Sequence, residues 1–310
     1  MYNEVLDKRK MNLLICPICQ NRPSADFFGL SSYFYCKKCE LAWKKNFPKT
    51  VYDETYYKGK SSLASVLFQP IAGFFYAIRR NYAGNGKAQT WIDVGAGEGG
   101  FLKTIKAGRR IGIEISSSGR EMMREKGIEA LSEKQFLKKN KLSADVISFW
   151  QVLEHVENPW DYLKAAKRNL KKGGKIVIGV PNFQSLEFYM TREYWFHLQP
   201  QFHLWHFSPR SLKMLLANTG FTIKSRDYWA IEHHLTGVLQ SLINRTAKSK
   251  ENVLHRIIKR QQGSSGIRFG DLFWSFFFLT IGSPVVFLFW VLGALLGKSG
   301  TMVVVASARR

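Results

Sequence analysis

An open α/β sheet, doubly wound and mostly parallel, is the fold this sequence predicts, and two patterns predict it. From Trp91 onward short apolar runs alternate with amphipathic stretches of helical periodicity: WIDV, IGIEI, IEAL, ADVISFW and KIVIGV. That is the element order of a parallel sheet with helical crossovers. The first run also ends in a glycine-rich turn, Gly95-Ala96-Gly97-Glu98-Gly99, and open α/β sheets place their ligands at the carboxyl ends of strands. A chain of 310 residues with 45% apolar content can supply the core of one such domain and a small appendage.

Before the sheet, all four cysteines fall in one short window as Cys16, Cys19, Cys36 and Cys39, a C-x2-C pair, sixteen intervening residues and a second C-x2-C pair. Two residues between cysteines let both thiolates of a tight turn face one ion, and two such turns complete a tetrahedral shell around zinc. The competing reading, two disulfides, conflicts with the expected cytosolic location. A closed four-thiolate shell has no open position, so the zinc is assigned to folding and not to chemistry.

Within the sheet region, Asn158-Pro159 with Asp161 reads as an N-cap, a first-turn proline and an acid facing the helix dipole, and Gly173-Gly174 reads as the stop of that helix. Ser208-Pro209 opens another helix in the same way, with Leu212, Leu215 and Leu216 on its buried face. At the glycine turn the residues let a ligand approach the backbone closely. Asp93 leads into the turn, and Glu114 ends the second strand, where it can accept hydrogen bonds from both ribose hydroxyls of an adenosine. A phosphate-binding loop is excluded because no Gly-Lys-Ser or Gly-Lys-Thr follows.

The stretches WIDVGAGEGGFL, IGIEIS, ADVISFWQVLEHVENP, GGKIVIGVPN and FHLWHFSP, over roughly residues 88 to 230, resemble the class I S-adenosylmethionine-dependent methyltransferases, in the group with LEH after the fourth strand. The resemblance implies that Asp93, Gly95 and Gly97 hold the methionine portion of S-adenosylmethionine and that Glu114 binds its ribose. It implies that Trp150 and Gln151 flank the sulfonium and that Ser132, or Glu133 beside it, contacts adenine. Methyl transfer is an in-line displacement, so the enzyme aligns donor and acceptor and needs a base only for an acceptor such as a hydroxyl. Histidine is the natural base near neutral pH. The candidates are His155 of LEH and then His203 and His206, with His197 in the same stretch. A second metal site from these histidines lacks a carboxylate pattern in the sequence.

The last strand is read in TMVVVASAR, residues 301 to 309, about 70 residues after FTIKSRDYWA. Between them, Leu272 to Gly297 is a run of 26 residues without a charge. Roughly 20 apolar residues suffice to cross a bilayer, yet one crossing would strand the last strand on the far side from its own sheet. Gly282-Ser283-Pro284 divides the run into two segments, each too short to span, so the expectation is a monotopic helical hairpin flanked by Arg268 and Lys298. A buried core hairpin or dimer contact is the alternative.

The expected divisions are a zinc ribbon over 1–48, a helical linker over 49–86 whose apolar run can lie on the same membrane surface, a methyltransferase core over 87–230, a helical insertion over 231–299 with its hairpin at 272–297, and the final strand over 300–310. The whole is a Rossmann-like, mostly parallel, seven-stranded α/β fold. The segment YDETYY, Tyr52 to Tyr57, resembles an aromatic lead-in of the same enzymes. Forty-six Lys and Arg against 23 Asp and Glu give +23, which favours a polyanionic partner. No secretory signal opens the chain.

The expected function is O-methylation of a glycan, glycolipid or other lipid-linked acceptor, by an enzyme attached peripherally or monotopically to an anionic membrane surface on the cytoplasmic side. An RNA methyltransferase, using the ribbon and the basic surface to grip nucleic acid, is the alternative. Against it, the fourth strand is followed by Gln151-Val152-Leu153-Glu154-His155 in place of the Asn-Pro-Pro-aromatic loop of base-amine methylation. A non-catalytic binding protein on the same fold is disfavoured by the intact glycine and acidic motifs.

Overall fold

A computed structural model describes residues 15–24, 27–47, 63–82, 89–138, 141–250, 252–259 and 267–309; the YDETYY segment lies outside them. Seven strands form the main sheet: β3 (Thr90–Val94), β4 (Arg109–Ile113), β5 (Glu129–Leu131), β6 (Ala144–Trp150), β7 (Leu170–Pro181), β9 (Phe221–Asp227) and β10 (Thr301–Ala308). Their order is β5-β4-β3-β6-β7-β10-β9. The first five are parallel, and β10 runs antiparallel to both neighbours. The central strands are apolar along nearly their whole length because helices cover a parallel sheet. Ile92, Ile111, Ile147, Ile176, Ile178 and Val304 are fully or almost fully buried and make the centre of the core.

The helix that follows β6 runs Pro159–Asn169, with the Asn158 side chain accepting from the Asp161 amide. It ends four residues before the glycines expected to stop it. Leu170 already pairs with Ala144, and Gly173, at φ +83°, turns the strand through an irregularity between Ala144 and Val146. The glycines therefore bend a strand; they do not cap a helix. The helix Pro209–Asn218 begins as expected, with Ser208 and Ser211 forming a reciprocal cap.

The cysteine module is joined to the main domain by backbone pairing. Its hairpin, β1 (Tyr33–Cys36) and β2 (Leu41–Lys44), pairs through β2 with β8 (Trp205–Phe207), so a three-stranded sheet carries strands from both. Trp43 lies opposite Trp205, Ala42 opposite His206 and Leu41 opposite Phe207. Phe27, Tyr33, Phe183, Phe188 and Trp195 fill the shared core beneath.

In the linker region a helix, α1, covers Leu63–Asn81. The insertion between β9 and β10 is helical as expected: Ile231–Ala247, Val253–Lys259, Phe269–Leu279 and Ser283–Leu295. The last two form the apolar pair in which a hairpin is expected, and at the Gly282 break they are bent by 71°, less than the reversal of a closed hairpin. At 11 and 13 residues they measure about 16 and 20 Å, short of the roughly 30 Å of a bilayer core. Among the described residues no single helix is long and apolar enough to cross a membrane. Both ends of the insertion sit together, since Val303 pairs with Asp227 and Thr301 pairs with Pro181. The insertion thus leaves the sheet at the carboxyl end of β9 and rejoins it beside the carboxyl end of β7, the same end that carries the glycine turn after β3.

Candidate active site

At the carboxyl end of β3 the chain needs left-handed backbone at three glycines: Gly95 (φ +73°), Gly97 (+57°) and Gly99 (+76°). The Gly95 and Ala96 amides both donate to the Ile113 carbonyl, and the Gly97 amide donates to Glu114 Oε2 at 2.8 Å. Glu114 Oε1 accepts the Ser116 amide at 3.1 Å. The acid at the end of β4 therefore ties the glycine turn in place, and each of its oxygens keeps a second lone pair for a ligand hydroxyl. A Cβ on Gly95 would lie 2.6 Å from Val152 Cγ2, so the turn is closed from the β6 side by the residue just after Gln151.

Asp93 is buried, and Ser148 Oγ donates to its Oδ1 at 2.6 Å. Burial pushes its carboxyl up to about 7 despite that hydrogen bond and the nearby Arg79. Trp150 ends β6 with its ring over Gly179, where a Cβ would stand 2.8 Å from it. Gln151 takes a left-handed φ of +55°, unusual for a side-chain-bearing residue, while its amide donates to the Gly179 carbonyl. Arg79 of α1 sits 5.0 Å over the Trp150 ring. Tyr82, at the end of α1, donates to Asp227 at 2.6 Å. The C-terminal half of α1 therefore leans over this cleft, a placement that sequence reasoning missed because only Arg79-Arg80 marks it.

The structure brings Asp93, Gly95, Gly97, Glu114, Trp150 and Gln151 together at one strand-end cleft. Ser132 lies at the end of β5, where its hydroxyl and amide are both engaged with Gln135 as a helix cap. Its neighbour Glu133 accepts from the Tyr162 hydroxyl.

Of the histidines, His155 and His203 meet edge to face with centroids 4.5 Å apart. His155 Nδ1 donates to the Phe202 carbonyl at 3.1 Å, and His203 Nδ1 donates to the His197 carbonyl at 2.7 Å. Burial holds His155 down to about 4 and His203 well below its ordinary range, so both rings are neutral. The His206 ring lies behind them, 6.0 Å from that of His203. It packs among Phe27, Tyr33 and Trp195 in the core shared with the ribbon, and burial lowers it to about 3. Glu154, noted in sequence only as a letter of the LEH motif, is fully buried. Neither of its carboxylate oxygens has a hydrogen-bond partner among the described residues, and burial raises it to about 8.

The four cysteine sulfurs come together as well. Cys16 and Cys39 are 3.2 Å apart, Cys19 and Cys36 3.4 Å, and Cys19 and Cys39 3.8 Å. These separations exceed a disulfide bond of about 2.05 Å. They approach the edge of about 3.8 Å of a tetrahedron with bonds near 2.3 Å. Both C-x2-C turns close alike, with Gln20 donating to the Cys16 carbonyl and Glu40 to the Cys36 carbonyl, each in left-handed backbone. Four thiols at this spacing, three buried and Cys19 half-buried, fit a structural zinc.

Comparison with known proteins matches residues 70–226 to the family model described as a methyltransferase domain. The chain is 34% identical over 90 residues to an uncharacterized protein of Methanocaldococcus jannaschii, covering 29% of this chain and 43% of that one, so it spans less than half of that relative. Among solved structures it is similar to a SAM-dependent methyltransferase from Archaeoglobus fulgidus, at 16% identity and a TM-score of 0.45, over 79% of this chain and 99% of that one. It is also similar to geranyl diphosphate C-methyltransferase from Streptomyces coelicolor, at 14% identity and a TM-score of 0.47, over 83% and 88% of the two chains. The matched span covers half of the 310 residues and contains the whole strand-end cleft, and the chain belongs to the methyltransferase domain family as an S-adenosylmethionine-dependent enzyme.

Proposed function

We propose that this enzyme methylates a hydroxyl of a glycan, glycolipid or other lipid-linked acceptor while docked on the cytoplasmic face of an anionic membrane. The observation that carries the reading is the place and exposure of the apolar hairpin. It rejoins the sheet at the end that holds the donor cleft. On it Phe269, Phe273, Phe276, Ile281, Phe287 and Leu295 are about half exposed or more. A contiguous apolar surface of this kind marks a protein or membrane contact. Arg268 and Lys298 flank it, and the net charge of +23 suits an anionic headgroup layer, where each nearby basic residue adds on the order of 1 kcal/mol.

In the cleft, Glu114 would hold the ribose hydroxyls, Asp93 the amino group of the methionine portion, and Gly95 and Gly97 the close approach of that portion to the backbone. Trp150 and Gln151 would border the sulfonium and exclude water from it. When bound, the cofactor supplies an electrophilic methyl carbon. The protein's task is then alignment of the acceptor oxygen, worth several kcal/mol of barrier in well-oriented reactions. The ribbon would hold a zinc ion for folding.

The test is incubation of the enzyme with methyl-labelled cofactor and a cell extract, followed by separation of lipid, polysaccharide, RNA and protein. Label in lipid or polysaccharide is the expected outcome. Label confined to RNA would replace this reading with a nucleic-acid methyltransferase.

A further inference from the structure

We propose that Glu154, His155 and His203 form a second cation site, distinct from the cysteine cluster, that binds a divalent transition metal ion beside the donor cleft. One carboxylate oxygen and one ring nitrogen from each histidine all lie within 4.8 Å of one another. The argument turns on what these groups can accept. Each histidine spends Nδ1–H on a backbone carbonyl, which leaves the lone pair on Nε2 and fixes the tautomer that ligating histidines use. Glu154 adds a fully buried carboxyl group whose two oxygens have no donor among the described residues. A buried carboxylate in that condition is costly unless a cation or donor reaches it. Two imidazoles and one carboxylate suit zinc, iron, cobalt or manganese, and three protein ligands leave coordination positions open.

The site is built. The Leu204 and Trp205 amides both donate to the Glu154 carbonyl, at 2.8 and 3.2 Å, and Trp205 Nε1 donates to the Val156 carbonyl at 2.8 Å. These bonds fix the strand that follows His203 onto the turn that carries Glu154 and His155. That turn is closed by the His155 amide on the Val152 carbonyl at 3.0 Å, and Val152 itself packs on Gly95 of the donor turn. Glu154 and His203 are buried, whereas His155 is half-buried, so the cluster opens on the His155 side.

The role rests on the hydroxyl-acceptor reading given above. A cation here would bind the acceptor oxygen and lower the pKa of its hydroxyl. The proton leaves to water, an oxygen lone pair forms the new O–C bond, and the electron pair of the broken C–S bond stays with the cofactor's sulfur.

The test adds Co2+ to the full chain with zinc retained in the cysteine site, and follows binding by calorimetry and visible absorption. One further Co2+ per chain is expected, with no thiolate charge-transfer band. Glu154→Gln and the half-buried His155→Ala should each weaken this binding on the order of 100-fold, and thermal melting shows whether each variant is folded. Absence of a further bound ion in the wild type, or equal affinity in a folded His155→Ala variant, would overturn the site. Co2+ binding with label found only in RNA would leave the metal site standing and remove the acceptor assignment.

Discussion

Three substitutions on the hairpin, Phe269→Ser, Phe276→Ser and Ile281→Ser, should detach the enzyme from membranes without unfolding it. The side chains are 82%, 68% and 75% exposed, so little of their apolar surface is used within the fold. Full burial of such a side chain is worth about 1.5–3 kcal/mol. With two-thirds to four-fifths of that surface still to be covered, each contributes about 1.5 kcal/mol to docking. Their sum, about 4.5 kcal/mol, corresponds to roughly three orders of magnitude in partition coefficient at 1.4 kcal/mol per decade. Surface substitutions of this kind change folding stability by about 0.5 kcal/mol or less each. The assay is co-sedimentation of the full chain with vesicles of anionic phospholipid, with thermal melting of the same samples. A folded triple variant that partitions like the wild type would refute the docking surface. Wild-type binding abolished by raised salt alone would refute it too, since salt screens charges but does not weaken apolar burial.

Cofactor affinity should weaken as pH falls through about 7, because Asp93 must be ionised to meet a cationic amino group and its carboxyl in the free enzyme is raised to about 7. Calorimetry from about pH 6 to 8.5 should show this slope, and Asp93→Asn should bind weakly at every pH without it. A second buried acid gives a stability prediction. Glu187 faces His234 Nε2 at 3.3 Å, and burial raises it from 4.5 to about 8 while lowering His234 to about 4, so at neutral pH a protonated acid meets a neutral imidazole. The unfolded chain ionises Glu187 above about 4.5 and the folded chain holds its proton to about 8. Folding stability from this group is therefore lost progressively as pH climbs across that window, by several kcal/mol in all. Glu187→Gln should flatten the dependence of the melting temperature on pH, and an unchanged slope would count against the assignment. Finally, Cys39→Ser should lower methyl transfer more than it lowers cofactor affinity, because the ribbon's β2 is paired to the strand following His203. Equal losses in both would mean that the ribbon supports the whole domain and not this strand.

Local pattern carried most of the legible part. The cysteine spacing, the glycine turn, the capped helix at Asn158 and the broken apolar run are each written within a few residues, so periodicity and turn chemistry suffice to find them. What escaped is set by contacts between distant segments. Nothing in LAWK or WHF announces that Leu41–Lys44 will pair with Trp205–Phe207 across some 160 residues of chain, and that pairing joins a separate-looking ribbon to the strand that follows His203. Gly173-Gly174 reads as a helix stop until the register of β6 and β7 shows a strand bending there. Glu154 is legible as a residue but not as a ligand, because its chemistry lies in carboxylate oxygens with no hydrogen-bond donor among the described residues, which only the packed interior reveals.

Charge and apolar surface together support the proposed bilayer over RNA as the polyanion that +23 favours. An RNA-binding face uses Lys and Arg with aromatic rings on which bases stack, but exposed aliphatic side chains such as Ile281, Leu288 and Leu295 beside them would add an aggregation liability with no contact to justify it. A bilayer surface uses both, since its headgroups take the basic residues and its acyl boundary takes the apolar ones. The 71° bend between the two hairpin helices suits the second case. On the proposed docking the two helices, set at an angle and each too short to cross, would lie at the bilayer surface, and the insertion returns β10 to the end of the sheet where Gly95, Glu114 and the Glu154 cluster lie.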